Sequence, residues 1–149
     1  MSSQYRNGRR KRYLFSYGTL LPEHAPREIA PTVRRLRPVG QGFVRGRLYD
    51  LGDYPGAVLT RSGPLIRGLV FELPEDPQVL ERLDQYEEFN RSRPKASLFV
   101  RKRRVVQLQD GRKIYCWIYA YNRPTGTASP LPTGEYSKGG IKLQASARR

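Results

Sequence analysis

The chain has 149 residues, the usual size of one domain, and a formal net charge of +15 at pH 7. Its single cysteine, Cys116, excludes an internal disulfide bond. We therefore expect the protein to lie in the cytoplasm, which is a reducing compartment. A single histidine, His24, beside that cysteine argues against a zinc site, which takes about four ligands of these types. No apolar run approaches the roughly 20 residues that a bilayer-spanning helix needs, so we expect neither membrane insertion nor a signal peptide.

More than half of the net positive charge lies at the two ends of the chain. Residues 1–12 carry five basic side chains, residues 137–149 carry four, and neither segment contains an acidic residue. Such polar segments are typical of tails that do not pack. We therefore expect a basic disordered tail at 1–12, one folded domain at 13–136 and a basic C-terminal tail at 137–149. Tails of this charge predict non-specific contact with a polyanion.

Short β-like segments separated by Pro and Gly occupy most of the sequence. In chain order, strands are predicted at YLFSYG, GFVRGRLYDL, GAVLT, IRGLVFEL, SLFVRKRRVVQL and RKIYCWIYAYN. Gly42 and Gly46 indicate a bulge or a tight barrel corner in the second of these. Asp110-Gly111 between the last two predicts a hairpin.

Two helices interrupt the strands. A short one is predicted between His24 and Leu36, and a longer one in LPEDPQVLERLDQYEEF, where Pro77 and two acids mark the first turn. Regular short strands with one or two helices predict a small, mostly antiparallel barrel or a strongly curved sheet.

Two adjacent acids, Glu87 and Glu88, end the longer helix. Residues that follow one another on a helix are 100° apart, so only one of the two faces the interior. Glu87 lies four residues after the apolar Leu83 and therefore shares its face. Glu is almost never fully buried without a partner, so a solvated helix end is the ordinary interpretation. The inward-facing alternative gives Glu87 a function.

The last predicted strand separates its aromatic residues from its aliphatic ones. One face carries Tyr115, Trp117, Tyr119 and Tyr121, and the other is aliphatic. Three interpretations of the aromatic face remain open: the wall of a ligand cavity, a platform on which nucleic-acid bases stack, and ordinary packing.

Several segments together resemble the gamma-glutamyl cyclotransferase-like superfamily, in its gamma-glutamylamine cyclotransferase-like branch. They are LFSYGTLL, VRGRLYDLGDYPGAV, LDQYEEF, SLFVRKRRVVQL, CWIYAYN and LPTGEY, spread from Leu14 to Tyr136. The most specific part is Tyr-Gly-Thr-Leu after an apolar strand, followed by Tyr-Pro-Gly and by Leu-Asp-x-x-Glu. The resemblance implies an α+β fold, a small mixed and mostly antiparallel β-barrel with a few short helices around one cavity.

The resemblance also implies a reaction and a site. A metal-independent cyclotransferase without cofactors would release 5-oxoproline from a small gamma-glutamyl amide or gamma-glutamylamine, with Glu87 as general acid and base. Main-chain N–H groups of the first loop would bind the gamma-glutamyl group, at Tyr17, Gly18, Thr19 and Leu20. An aromatic contact would come from Tyr119 or Tyr121, and Tyr121 is assigned to the substrate.

Two departures from the family pattern stand out. Glu88 follows the catalytic glutamate where Gly is frequent, and Phe99 stands where a Tyr is frequent. Asp84 is expected to cap or pair structurally. A non-catalytic barrel that binds a small ligand or a polyanion such as RNA is the alternative function, because of the charge and the cationic run from Arg101 to Arg104. The sequence leaves the leaving group and the oligomeric state open.

Overall fold

The computed structural model describes residues 5–6, 9–18 and 20–135. These residues form nine strands, two α-helices and one 3₁₀ helix. In chain order the elements are β1 Tyr5–Arg6, β2 Arg9–Arg10, β3 Tyr13–Ser16, α1 Ala30–Val33, β4 Arg37–Asp50, β5 Pro55–Leu59, β6 Leu65–Glu72, α2 Pro77–Tyr86, the 3₁₀ helix Pro94–Ala96, β7 Phe99–Leu108, β8 Lys113–Tyr121 and β9 Ser129–Pro130.

Five strands close into a barrel in the order β4, β6, β3, β8 and β7, with β7 returning to β4. The closing contact pairs Gly42 with Leu108 and Phe43 with Gln107. All neighbours in the ring are antiparallel except β3 and β8, which run parallel. β5 and β9 pair with the far end of β4, outside the ring. The predicted mixed, mostly antiparallel barrel is confirmed.

The long strand β4 pairs with two neighbours of the barrel at Gly42. This residue pairs with both β6 and β7, and a Cβ here would lie 2.8 Å from the Val106 Cγ1 atom. The sequence offered a bulge or a tight corner at Gly42 and Gly46. The pairing with β6 shows no bulge at Gly42, because the register shifts between Pro38 and Gly40 and runs evenly from there to Arg45. A proline without an N–H cannot complete the ladder, which accounts for the irregularity at Pro38.

Strand β3 is buried on both faces. Phe15 packs inside the barrel with Val70 and Ile118, whereas Leu14 packs outside the barrel beneath the helices, with Leu83 among its neighbours in that cluster. A strand that is buried on both faces usually has a continuous run of apolar residues, and three of the four residues in YLFS are apolar or aromatic. The end of β3 therefore emerges between the barrel and the helical layer.

Helix α2 begins where its sequence signals it. Asp76 is the N-cap, its Oδ1 accepts from the Gln78 N–H at 2.9 Å, and Pro77 occupies the first turn. Val79 and Leu83 form part of its buried face. The cap fixes the direction of the helix, and with it the position of the C-terminal end that carries Glu87.

Helix α1 is much shorter than the span predicted between His24 and Leu36. It comprises only Ala30–Val33, and turns occupy most of the residues before it. Pro31 lies in its first turn, the one part of a helix where the missing N–H is tolerated, so the helix cannot begin much earlier. No helix among the described residues is long and apolar enough to cross a membrane.

Most of the two predicted tails lies outside the described residues. Within the first, β1 and β2 pair antiparallel, Tyr5 with Arg10 and Arg6 with Arg9. Residues 136–149 are not described, so the C-terminal boundary of the domain and the polyanion contact of the tails stay predictions.

Candidate active site

A cavity of about 600 Å³ lies where the end of β3, the C-terminal end of α2 and the strands β7 and β8 meet. Its walls are mixed. Phe15, Ile29 and Phe99 contribute apolar surface, and the loop after β3 contributes backbone. This is the usual size and character of a small-molecule site, an apolar cleft with a few polar groups.

Two residues of the loop after β3 line this cavity and have backbone N–H groups that no described residue pairs. Gly18 and Leu20 line it, and no described residue accepts a hydrogen bond from either backbone N–H. The Gly18 carbonyl accepts from the Leu21 N–H at 3.1 Å, which closes the turn. A Cβ at Gly18 would lie 2.6 Å from the Pro55 Cγ atom, so close packing already requires glycine here. Thr19, which the resemblance assigns to substrate binding, lies outside the described residues.

Tyr17 lines the cavity with its ring, while its hydroxyl holds the scaffold together. The hydroxyl donates to the Tyr119 carbonyl and accepts from the Ala57 N–H at 3.2 Å. Burial, and next the Glu87 carboxylate, raise the Tyr17 pKa far above its ordinary value. Tyr17 therefore shapes the site and stays protonated.

Glu87 is the C-cap residue of α2, directly after the last helical residue. The Phe89 N–H donates to the Asp84 carbonyl at 2.9 Å, and the Glu88 N–H donates to the Gln85 carbonyl at 3.1 Å. These two bonds form a Schellman motif, in which the residue after the C-cap adopts a left-handed conformation. Glu88 has φ of +57° accordingly, a position that glycine usually occupies. The motif turns the chain so that Glu87 lines the cavity and Glu88 sits at its exposed rim.

Glu87 is half-buried in the wall of the cavity. Burial, and next the charge of Glu88, raise its pKa to about 8, from an ordinary value of 4.5. Among the described residues, no side chain forms an ion pair or a hydrogen bond with this carboxyl. It is therefore mostly protonated at neutral pH, and a cationic ligand beside it would favour the charged form.

Asp84 ties the C-terminal part of α2 to strands β7 and β8. Its two oxygens accept from Arg101, at 2.8 Å from Nε and 3.1 Å from the guanidinium Nη2, and Oδ1 also accepts from the Tyr119 hydroxyl at 2.6 Å. The Arg101 guanidinium stacks 4.3 Å from the centre of the Trp117 ring. Asp84 thus pairs structurally, as expected. The pair also removes Arg101 from the cationic run that suggested a polyanion site.

The structure brings Tyr119, rather than Tyr121, to the cavity. Tyr119 lines it, and Tyr121 is not among the described residues that do. Tyr121 packs against Phe99, with the two ring centres 5.5 Å apart. Phe99, where the family pattern favours Tyr, lines the cavity. A substrate contact by Tyr121 stays a prediction.

Sequence reasoning gave no role to several cavity residues, among them Ser16 and Tyr54. Ser16 shares a strand face with Leu14, and this alternation was its only signal. Tyr54 stands in the Tyr-Pro-Gly segment that the resemblance used for recognition without assigning it a role. Its ring centre lies 5.9 Å from that of Phe99, so it closes the cavity from the side of β5.

The comparison with known families decides the membership of this chain. The sequence model described as gamma-glutamyl cyclotransferase, AIG2-like, matches residues 14–138. The chain belongs to this family. The match includes the loop after β3, the end of α2 and the cavity-lining strands.

Solved structures share the fold of this gamma-glutamyl cyclotransferase family member. An AIG2-like protein from Mus musculus is 20% identical with a TM-score of 0.68, over 88% of this chain and 93% of that one. The protein ytfP from Escherichia coli is 24% identical with a TM-score of 0.57, over 83% and 95%. YkqA from Bacillus subtilis is 20% identical with a TM-score of 0.63 over 85% of this chain, which spans only 39% of YkqA. No match is found among curated proteins.

The site of this family member offers proton transfer and hydrogen bonding. Within the described part of the chain, no three His, Cys, Asp or Glu side chains gather in the way that metal ligands do. Cys116 is buried inside the barrel, and burial raises the pKa of its thiol to about 12, so it is no nucleophile. Glu87 is therefore the ionisable side chain of the cavity best suited to exchange a proton near neutral pH.

Proposed function

We propose that this protein is a cyclotransferase that releases 5-oxoproline from a gamma-glutamyl amide or gamma-glutamylamine. The observation that carries the proposal is the Glu87 carboxyl, which lines the same cavity as the backbone N–H groups of Gly18 and Leu20. Family membership supports it at the level of the reaction class.

The reaction needs little more than correct folding of the substrate. The α-amine attacks the γ-carbonyl of the same molecule, a C–N bond forms, and a five-membered lactam closes. The bond between the γ-carbonyl carbon and the leaving nitrogen then breaks and releases an amine. Intramolecular attack has a high effective molarity once the reacting atoms are oriented, so a shaped cavity provides much of the rate enhancement.

Glu87 serves both nitrogens in this scheme. An α-ammonium beside it favours the carboxylate, which takes a proton and leaves the amine neutral for attack. The carboxyl then gives that proton to the leaving nitrogen, and the carboxylate takes the second proton that the attacking nitrogen loses as it becomes the lactam N–H. The departing amine accepts this second proton and leaves as an ammonium ion, so no net proton is consumed. A pKa of about 8 suits both steps near neutral pH. Backbone N–H groups of the loop would stabilise the negative charge that develops on the γ-carbonyl oxygen.

The mouth of the cavity is where the leaving group would project. Arg82, Gln85 and Glu88 line this side and are exposed, so the leaving amine would meet polar side chains and solvent. Such a mouth tolerates several leaving groups, and a panel of substrates is needed to find the best one.

The experiment is a screen of gamma-glutamyl amides, amines and dipeptides for release of 5-oxoproline by purified protein. Glu87→Gln should abolish release while thermal unfolding stays cooperative, and Glu88→Gln, which removes the neighbouring charge, should retain most of it. Full activity in Glu87→Gln, or equal loss in both variants, would refute the proposal.

A further inference from the structure

The strands β7 and β8 form a hairpin whose outward face extends beyond the cavity. Cys116 of β8 lies inside the barrel, so the residues that alternate with it form the other face. On that face Tyr119 lines the cavity, Trp117 is half-buried, and Tyr115 is 49% exposed. Val105, which pairs with Tyr115 across the hairpin, is 45% exposed. Packing therefore accounts for one end of this aromatic face and leaves the other end in solvent.

Arginine side chains join the rings of this face into one stack. The Arg103 guanidinium lies 5.4 Å from the centre of the Tyr115 ring and 5.5 Å from the centre of the Trp117 ring. The Arg101 guanidinium lies 4.3 Å from the centre of the same Trp117 ring. We call these four residues the arginine–aromatic stack. Unpaired bases stack on aromatic rings and on guanidinium planes, so this stack is a surface that a nucleic-acid base can extend.

The positive charge of the folded domain is concentrated on the same hairpin. Residues 99–121 hold six basic side chains and one acidic side chain, whereas the rest of 13–136 holds 13 basic and 12 acidic ones. Within the hairpin, Arg101 pairs with Asp84 and Arg112 pairs with Asp110. The other four cations are exposed and form no ion pair among the described residues; they are Lys102, Arg103, Arg104 and Lys113. Unpaired cations clustered beside exposed rings are typical of a surface that binds nucleic acid.

We propose that the β7–β8 hairpin binds a single-stranded nucleic acid, with bases stacked on Tyr115 and Arg103 and phosphates beside the unpaired cations. The exposed ring decides between polyanions. A polyphosphate or an anionic membrane would use the cations alone, and a duplex keeps its bases stacked inside, so none of these offers a base to Tyr115. Stacking is tolerant of sequence, because every base has a π-face. Neither Tyr115 nor Arg103 lines the cavity, so this binding is independent of the proposed function.

The test compares variants of the full chain for binding of a fluorescent oligouridylate of about 12 nucleotides, by anisotropy at about 0.15 M salt. Tyr115→Leu should raise the Kd about 5- to 100-fold, the usual effect of losing one stacked base. Tyr115→Phe keeps the ring and should bind like wild type. Arg103→Gln should weaken binding more than Arg61→Gln, the matched control, which removes the same charge from an exposed residue outside the hairpin. Cooperative thermal unfolding shows that each variant folds.

Trp117 is the single tryptophan of the chain and belongs to the arginine–aromatic stack, so its fluorescence reports on this surface. Oligouridylate should quench the fluorescence of wild type, and polyphosphate, which has no bases, should not. Binding through the basic tails alone would leave the Trp117 emission unchanged and would give Tyr115→Leu and Tyr115→Phe equal affinities. Either of those results, equal losses in Arg103→Gln and Arg61→Gln, or no binding by wild type would overturn the proposal.

Discussion

Replacing Glu88 by glycine should stabilise this protein and lower the pKa of its neighbour. Glu88 has φ of +57° at the Schellman position, where a residue with a Cβ costs roughly 1–2 kcal/mol. Glycine offsets part of this gain by roughly 0.5–1 kcal/mol through the entropy of the unfolded chain. The net increase in the free energy of unfolding should be about 0.5–1 kcal/mol, which raises the unfolding midpoint by about 1–4 °C in a chain of this size.

The matched control is Glu88→Gln, which removes the charge and keeps the left-handed backbone. Thermal and urea unfolding at about pH 6 should place Glu88→Gln close to wild type, because Glu87 is protonated there and its repulsion with Glu88 is weak. Both variants should lower the Glu87 pKa. The reasoning is refuted if Glu88→Gln gains as much stability as Glu88→Gly, or if the glycine variant gains none.

Three further predictions follow from the site and its supports. Glu87→Gln should be more stable than wild type at alkaline pH. Folded Glu87 keeps a proton that the unfolded chain has lost, so the free energy of unfolding of wild type falls by up to ~1.4 kcal/mol per pH unit between about 5 and 8 relative to the variant, as urea unfolding at several pH values would measure. Asp84→Asn should cost about 3–5 kcal/mol, because it leaves the buried Arg101 without its counter-charge. Addition of Arg101→Met should restore part of this loss in equilibrium unfolding. Gly68→Ala should cost about 1–3 kcal/mol, since its Cβ would meet the Ser16 carbonyl oxygen.

Each of these predictions has a result that contradicts it. Parallel stability curves for Glu87→Gln and wild type from pH 5 to 8 would mean that Glu87 ionises normally in the folded protein. A loss below about 1 kcal/mol in Asp84→Asn would place the Arg101 pair in water. If Gly68→Ala does not change stability, β3 and β6 are less closely packed than implied by the 2.4 Å distance between an added Cβ and the Ser16 carbonyl oxygen.

The sequence could predict which of the two acids at the end of α2 faces the interior, because helical spacing puts Glu87 and Glu88 on different faces. Spacing did not predict how the turn is made. Glu87 lies just past the helix, and its direction comes from the Schellman hydrogen bonds of Glu88 and Phe89. Glycine at position 88 would have signalled that motif, and this chain carries glutamate instead.

The partners of the site were harder to predict because they come from distant parts of the chain. Arg101 reads as one cation in an exposed run, and only the fold places it against Asp84, 17 residues earlier. Alternation put Tyr119 and Tyr121 on one strand face, but the sequence does not show that Tyr119 lines the cavity while Tyr121 packs against Phe99.

The central claim is that the Glu87 carboxyl is held in the cavity with little solvation, ready to exchange a proton near neutral pH. Carbon-13 NMR of the protein labelled at glutamate side chains measures this directly, with the Glu87 carboxyl signal assigned by its absence in Glu87→Gln. The account predicts a titration midpoint of about 8 in the free protein. A midpoint near the ordinary value of 4.5 would contradict it.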